Sequence, residues 1–103
     1  MSGALPRNRG NRSTNRVGAT VSRRLRAAGW NVSPSARRHH HPGVFVRCAG
    51  DFVSVLVDTG LDSGRTADGI RDAVTAWPQV SGAEVTSDGD AFWVRFSYRP
   101  QQP

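Results

Sequence analysis

The chain contains 103 residues, has a mass of 11.2 kDa and carries a formal net charge of +6, and 37% of its residues are hydrophobic. This length allows one small domain with a modest core. The sequence shows no signal peptide and no run of the ~20 apolar residues that span a membrane, and its single cysteine, Cys48, excludes an internally disulfide-linked scaffold.

The basic residues are unevenly distributed, and all 14 of them are arginine, a usage typical of a GC-rich genome. Residues 1–50 contain ten arginines and no acidic residue, which gives +10. Residues 51–103 contain four arginines and eight acidic residues, which gives 4 − 8 = −4. This asymmetry indicates a basic segment attached to a folded body, with a negatively charged partner.

Residues 1–16 are mostly Arg, Asn, Gly and Ser, so we expect a flexible Arg-rich N-terminal arm. Arginines spaced by small polar residues suit phosphate contacts that do not read sequence, and an acidic protein surface is the alternative partner. The predicted nucleic-acid or partner-binding residues are nine arginines of the N-terminal half: Arg7, Arg9, Arg12, Arg16, Arg23, Arg24, Arg26, Arg37 and Arg38.

After the arm, apolar residues at helical spacing predict a helix over residues 17–28, and Gly29 is a natural residue to follow its end. Trp30 and Val32 predict a short strand that ends at Pro34. Residues 33–42 predict a basic loop that contains His39, His40 and His41.

Alternating β-branched residues on both sides of Ala49–Gly50–Asp51 predict a hairpin. Residues 52–57 are apolar on both faces, so this strand is predicted to be central and covered by a helix. A second helix is predicted over residues 64–77, capped by Asp62 or Ser63. A closing hairpin is predicted around Asp88–Gly89.

This order predicts a single α+β domain over residues 17–99, followed by a tail at residues 100–103. Two helices pack on a mostly antiparallel sheet of about five strands, in the order α-β-β-β-α-β-β. The predicted core consists of ten apolar residues on the inward stripes: Val44, Val46, Val55, Val57, Ile70, Val74, Trp77, Phe92, Val94 and Phe96.

The sequence predicts no catalytic residue, metal site or cofactor, and we expect a protein that is not an enzyme. Asp58–Thr59–Gly60 follows an apolar strand, as in retroviral-type aspartic proteases, but a helix follows at once and no Gly-rich flap segment is present. The ordinary interpretation is a strand-to-helix turn. Consecutive histidines in a strand point to opposite sides, which does not favour a shared metal ion.

Trp93 interrupts the otherwise polar outer side of the last strand, and Arg95 lies two residues further on the same side. Aromatic and arginine side chains are the usual anchors of protein interfaces. We therefore predict Trp93 and Arg95 as interface residues.

The element order from Val17 to Arg99, ending in the strand AFWVRFSYR, resembles that of tail-terminator and neck proteins of long-tailed phages. These small α+β subunits form rings where the tail meets the head. The resemblance implies a non-enzymatic head-to-tail connector that forms homo-oligomeric rings, contacts other virion proteins and touches DNA or another polyanion through the arm. It also implies a place in the virion, assembled in the host cytoplasm, without membrane contact; outside a virion we expect a cytoplasmic protein.

A second resemblance covers residues 25–77. The segment Leu25–Trp30 (LRAAGW) and the following run RRHHH at residues 37–41 are similar to a toxin family built on the double-stranded-RNA-binding fold. This resemblance implies RNA binding or cleavage, with either His39 or His40 in the place of the family's catalytic histidine. The two interpretations remain alternatives at the level of the sequence.

Overall fold

The computed structural model describes residues 5–33 and 42–100, and for residues 5–15 it describes the course of the backbone. It shows the predicted α+β class, with two helices and a four-stranded antiparallel sheet. The elements are α1 (Leu5–Ala27), β1 (Gly43–Ala49), β2 (Phe52–Asp58), a 3₁₀ turn (Gly60–Asp62), α2 (Ser63–Thr75), β3 (Val80–Asp88) and β4 (Ala91–Tyr98).

The sheet has the strand order β1-β2-β4-β3, and all neighbouring strands are antiparallel. Both predicted hairpins form, and two residues connect the strands in each: Gly50–Asp51 and Gly89–Asp90. The two loop glycines have φ angles of 63°, a conformation that favours glycine, which explains the strong turn signal at both places. The helix α2 connects β2 to β3 and passes over β4.

The prediction of about five strands is wrong within the described residues, because the segment at Trp30 and Val32 does not form a strand. Val32 makes one isolated parallel bridge to Val44, and the Ser33 amide donates a hydrogen bond to the Val44 carbonyl at 2.8 Å. The turn at Gly29 and the proline at position 34 leave too few residues between them for a longer ladder. The element order is therefore α-β-β-α-β-β.

The first helix begins at Leu5, so the predicted start at Val17 is also wrong. Pro6 is compatible with this start, because the first turn of a helix needs no intrahelical amide donor. The arginines that follow have a high intrinsic helix propensity. The division into a flexible arm at residues 1–16 and a domain at residues 17–99 stays a prediction, and residues 1–4 lie outside the described part.

Both helices pack on one face of the sheet, which we call the inner face. The core lies between the helices and this face. Eight of the ten predicted core residues are buried, and Trp77 and Phe92 are half-buried against the same cluster. Val21, Leu25 and Tyr98 extend this core. The Cα of Gly18 lies so close to β1 that an added Cβ would be 3.2 Å from the Cys48 Sγ atom, so α1 crosses β1 there.

The segment Asp58–Thr59–Gly60 is a strand-to-helix turn. The Thr59 amide donates to the Ser63 Oγ atom at 2.9 Å, and the Ser63 hydroxyl donates to the Gly60 carbonyl at 2.8 Å. Ser63 is 1% exposed, and no side-chain cap bond comes from Asp62. Of the two predicted caps, Ser63 therefore holds the entry to α2, which begins at Ser63 and ends at Thr75 rather than Trp77.

Candidate interaction surfaces

The face of the sheet opposite the helices is the outer face, and its side chains form cross-strand rows. Because side chains alternate along a strand, every second residue of each strand belongs to it. The strand register defines three rows in the order β1, β2, β4, β3: Phe45–Leu56–Trp93–Thr86, Arg47–Ser54–Arg95–Glu84 and Ala49–Phe52–Ser97–Ser81.

The outer face carries its own apolar cluster. Phe45, Leu56 and Ala91 are at most 5% exposed, and the half-buried Trp93 packs against them. Phe52 lies two rows away and is 46% exposed. The sequence signal for this surface was the apolar character of both sides of β2. It predicted a central strand correctly, and the described helix side chains of the core pack against its inner side.

Trp93 and Arg95, the predicted interface residues, form one ordered unit on the outer face. The Arg95 guanidinium lies 4.9 Å from the centroid of the Trp93 ring. The Trp93 Nε1–H group donates to the Asp88 Oδ2 atom at 3.3 Å, and Arg95 Nη1 donates to the Thr86 Oγ1 atom at 3.3 Å. Contacts to β3 therefore hold both side chains in place before any partner binds, which lowers the entropy cost of an interface.

The predicted basic surface is partly present on α1. Arg16, Arg23 and Arg26 are exposed. Arg26 also donates to the carbonyls of Val32 and Ser33, at 3.2 and 3.4 Å. The backbone of residues 7, 9 and 12 belongs to the same helix, and the spacing of positions 9, 12, 16 and 23 places them on one helical face. Arg37 and Arg38, like the three histidines, lie outside the described residues.

Arg24 differs from the other arginines of α1, because its guanidinium turns toward the protein. It lies 3.9 Å from the centroid of the Trp77 ring, and its Nη1 atom donates to Gln79 Oε1 at 3.0 Å and to the Tyr98 hydroxyl at 3.4 Å. Tyr98 in turn meets the Trp77 ring edge-on. Arg24 thus connects α1 to the segment after α2, which contains Trp77 and Gln79, and to the end of β4 at Tyr98. We therefore assign Arg24 a structural contact rather than a place in the basic surface.

A cavity of about 250 Å³ lies between the end of α1 and the beginning of α2. Trp30, Asn31, Gly43, Thr59 and Thr66 contribute to its lining. The Oγ1 atom of Thr59 is buried and has no hydrogen-bond partner in the described part of the chain. The described part of its lining has an aromatic wall, two threonine hydroxyls and the carboxylate of Asp62.

Two kinds of site are not present in the described residues. Residues 5–33 and 42–100 contain no group of three His, Cys, Asp or Glu side chains that could hold a metal ion. No helix within these ranges has the length and apolarity needed to cross a membrane.

Cys48 is half-buried in β1, and burial raises the pKa of its thiol. A nucleophilic cysteine needs the opposite change, a lowered pKa.

Comparison with known proteins adds no relative: no protein-family model, curated protein or solved structure matches this chain. The features of the molecule that bear on function are the two surfaces described above, the outer face of the sheet and the basic side of α1.

Proposed function

We propose that this protein is a non-enzymatic structural subunit of a homo-oligomeric assembly, of the head-to-tail connector or tail-terminator type found in phage virions. The observation that carries the proposal is the outer face. It presents Phe52, 46% exposed, on the same side of the sheet as the Trp93–Arg95 unit, and no described side chain of α1 or α2 belongs to the apolar cluster of this face. An exposed aromatic residue beside an ordered aromatic–arginine pair matches the composition of interface centres.

The basic side of α1 supports a contact between the subunit and DNA. Arg16 and Arg23 are exposed on one helical face, and residues 1–50 contain no acidic residue. A surface of this kind neutralises phosphates without reading bases. A subunit that encloses or borders packaged DNA needs this sequence-independent contact.

Substitutions on the outer face test the proposal by sedimentation. We expect Phe52→Ser and Trp93→Ala each to weaken the association of the protein with itself or with its virion neighbours at least tenfold, because both remove an apolar anchor. Leu61→Ser is the matched control, since Leu61 is an exposed apolar residue like Phe52 but lies in the 3₁₀ turn, away from the sheet. A thermal melt of each variant separates loss of association from loss of folding.

If Phe52→Ser and Trp93→Ala assemble as the wild type does, the outer face is not the contact surface and the proposal loses its main support. If Leu61→Ser dissociates the assembly as strongly as they do, the effect is not specific to the outer face.

RNA binding by a toxin-like domain is the second candidate, and the cavity is the observation that favours it. Trp30, from the segment similar to the toxin family, lines this cavity beside Gly43 and Thr59. Pro42, which follows the three histidines in the sequence, borders it as well. Incubation with RNA distinguishes the candidates: the structural subunit leaves RNA intact, whereas cleavage that disappears in His39→Ala or His40→Ala would favour the toxin-like function.

A further inference from the structure

The two edge strands of the sheet differ in charge, and each has backbone groups for which the described residues supply no partner. Strand β1 forms one edge and β3 the other. Arg47 on β1 and Glu84 on β3 are both exposed, and they stand at opposite ends of the same cross-strand row, Arg47–Ser54–Arg95–Glu84. Each copy of the chain therefore ends this row with a positive residue on one side and a negative residue on the other.

The β1 edge has backbone groups that point away from the sheet. In antiparallel pairs, alternate residues direct both backbone groups to the neighbouring strand and the residues between them direct both groups outward. The Val44 carbonyl accepts a hydrogen bond from Ser33, outside the sheet. Val44 is therefore one of the β1 residues whose backbone groups point away from β2, which we call outward residues. By alternation Val46 and Cys48 are outward residues as well. No described backbone group outside the sheet bonds to either of them.

The β3 edge has the same property. The two-residue loop after β3 makes Asp88↔Ala91 the hydrogen-bonded pair that closes the hairpin, so Thr86 and Glu84 direct their backbone groups toward β4. Val85 and Ser87 therefore point to the open edge, and among the described residues no turn or loop amide or carbonyl bonds to them. A register shift between Ser81 and Glu84 limits this regular edge to its second half.

We propose that copies of this chain associate head to tail through these edges, with β3 of one copy antiparallel to β1 of the next. This proposal rests on the proposed function, because it specifies one contact between copies of the chain in that assembly, which the sheet edges make and which is separate from the contact made by the outer face. Strands alternate in direction across the sheet, so β3 and the β1 of a copy placed beside it run antiparallel. If the cross-strand rows continue from one copy into the next, Val85 of one copy lies directly opposite Val46 of the next copy, and Glu84 lies directly opposite Arg47. The backbone groups of Val85 and Val46 then point toward each other.

The occupant of each edge is a second copy of the same chain, since one register satisfies both backbone and charge. Val85 and Val46 belong to one row within the sheet, and the adjacent residues Glu84 and Arg47 belong to the next. Pairing Val85 with Val46 of the next copy therefore places the opposite charges directly across from each other. A directly opposed pair in an antiparallel ladder is stabilising when the charges are opposite and destabilising when they are alike. A head-to-tail contact also generates rings when its rotation closes.

Charge reversal tests the pairing by sedimentation equilibrium of the full chain. We expect Arg47→Glu alone and Glu84→Arg alone each to lower the association constant at least tenfold, because each places like charges across the junction. The double variant R47E/E84R should restore association, since it exchanges the two ends of the row. An equimolar mixture of the two single variants should also associate, because each supplies the edge that complements the other.

Arg65→Glu on α2 and Asp90→Arg in the second hairpin loop are the matched controls, since both are exposed and make the same changes in net charge. They should leave the association constant unchanged. Circular dichroism of every variant checks the fold, and the mixture remains informative even if one single variant is less stable.

The outcomes separate this proposal from the proposed function. A wild-type protein that stays monomeric contradicts both. A wild-type oligomer that both single variants leave intact contradicts the edge pairing alone. Dissociated single variants that neither the double variant nor the mixture restores also contradict it, because the charges then act on something other than this junction.

Discussion

Two arginines that are adjacent in the sequence have different roles in the structure. Arg23 is exposed on α1, whereas Arg24 stacks on the Trp77 ring and donates hydrogen bonds to Gln79 and Tyr98. Helical periodicity places Arg24 beside the apolar stripe, close to Val21 and Leu25. Nothing in the sequence identifies Trp77 as its partner, because the contact joins residues 53 positions apart (77 − 24).

At this scale we predict that Arg24→Ala lowers the free energy of unfolding by about 1–2 kcal/mol. The substitution removes a cation–π contact worth ~0.5–2 kcal/mol and exposes part of the Trp77 ring. Arg23→Ala is the control and should change stability by less than about 0.5 kcal/mol, as surface substitutions do. Urea denaturation of both variants measures the difference, and equal effects would show that the Trp77 contact contributes nothing.

Phe52 and Phe96 lie at the same end of the β2–β4 ladder but on opposite faces of the sheet, and they provide a second comparison at the residue scale. Phe96 is 1% exposed in the core and Phe52 is 46% exposed on the outer face. We predict that Phe96→Ala costs about 3–5 kcal/mol, the usual range for a buried phenylalanine, and that Phe52→Ala costs less than about 1 kcal/mol. Thermal or chemical denaturation tests this. A small loss for Phe96→Ala would mean that the inner and outer faces of β4 are wrongly assigned.

At the scale of elements, the features that depend on local sequence patterns could be predicted from the sequence. The two hairpins follow from glycine and aspartate in their loops, and the inner face of each strand follows from alternation. The contacts that link distant elements had no such signal. The single bridge at Val32 and the outer cluster of Phe45, Leu56 and Ala91 depend on which segments meet in three dimensions.

The packing of α1 on β1 predicts how Cys48 reacts. Gly18 lies over its Sγ atom, and burial raises the pKa of the thiol above its ordinary value of 9.0. Since the thiolate is the reactive form, we expect slower alkylation by iodoacetamide at pH 8 in the folded protein than in urea. The unfolded chain also loses the thiol proton at lower pH than the folded one, so this group's contribution to stability disappears as the pH rises through the folded pKa.

Alkylation rates between pH 7 and 10, with and without urea, measure this effect. Equal rates in the folded and unfolded protein at pH 8 would show that α1 does not cover Cys48.

At the scale of the whole molecule, charge and apolar surface are separated. The basic residues of α1 lie on the helical side of the domain, and the aromatic residues of the outer face lie on the opposite side of the sheet. Under the proposed function, the basic side contacts a polyanion and the outer face contacts a protein. This separation follows from the topology, because both helices pack on the inner face of the sheet.

DNA binding tests the basic side. We predict that wild-type protein binds duplex DNA without sequence preference, and that replacing both Arg16 and Arg23 with glutamine reduces the slope of log K against log salt by about 2, since each phosphate contact contributes ~0.9. Arg65→Gln together with Arg71→Gln on α2 is the control and should leave the slope unchanged. Fluorescence anisotropy at several salt concentrations measures it, and an unchanged slope in the α1 variant would exclude this helix as the DNA contact.

The central claim is that the protein functions as a subunit of an assembly, and the mass of the wild-type protein in solution tests it most directly. Sedimentation equilibrium over a wide concentration range should give a mass that is a multiple of 11.2 kDa and that rises toward one closed oligomer. A mass of 11.2 kDa at every concentration, up to the solubility limit, would contradict the account.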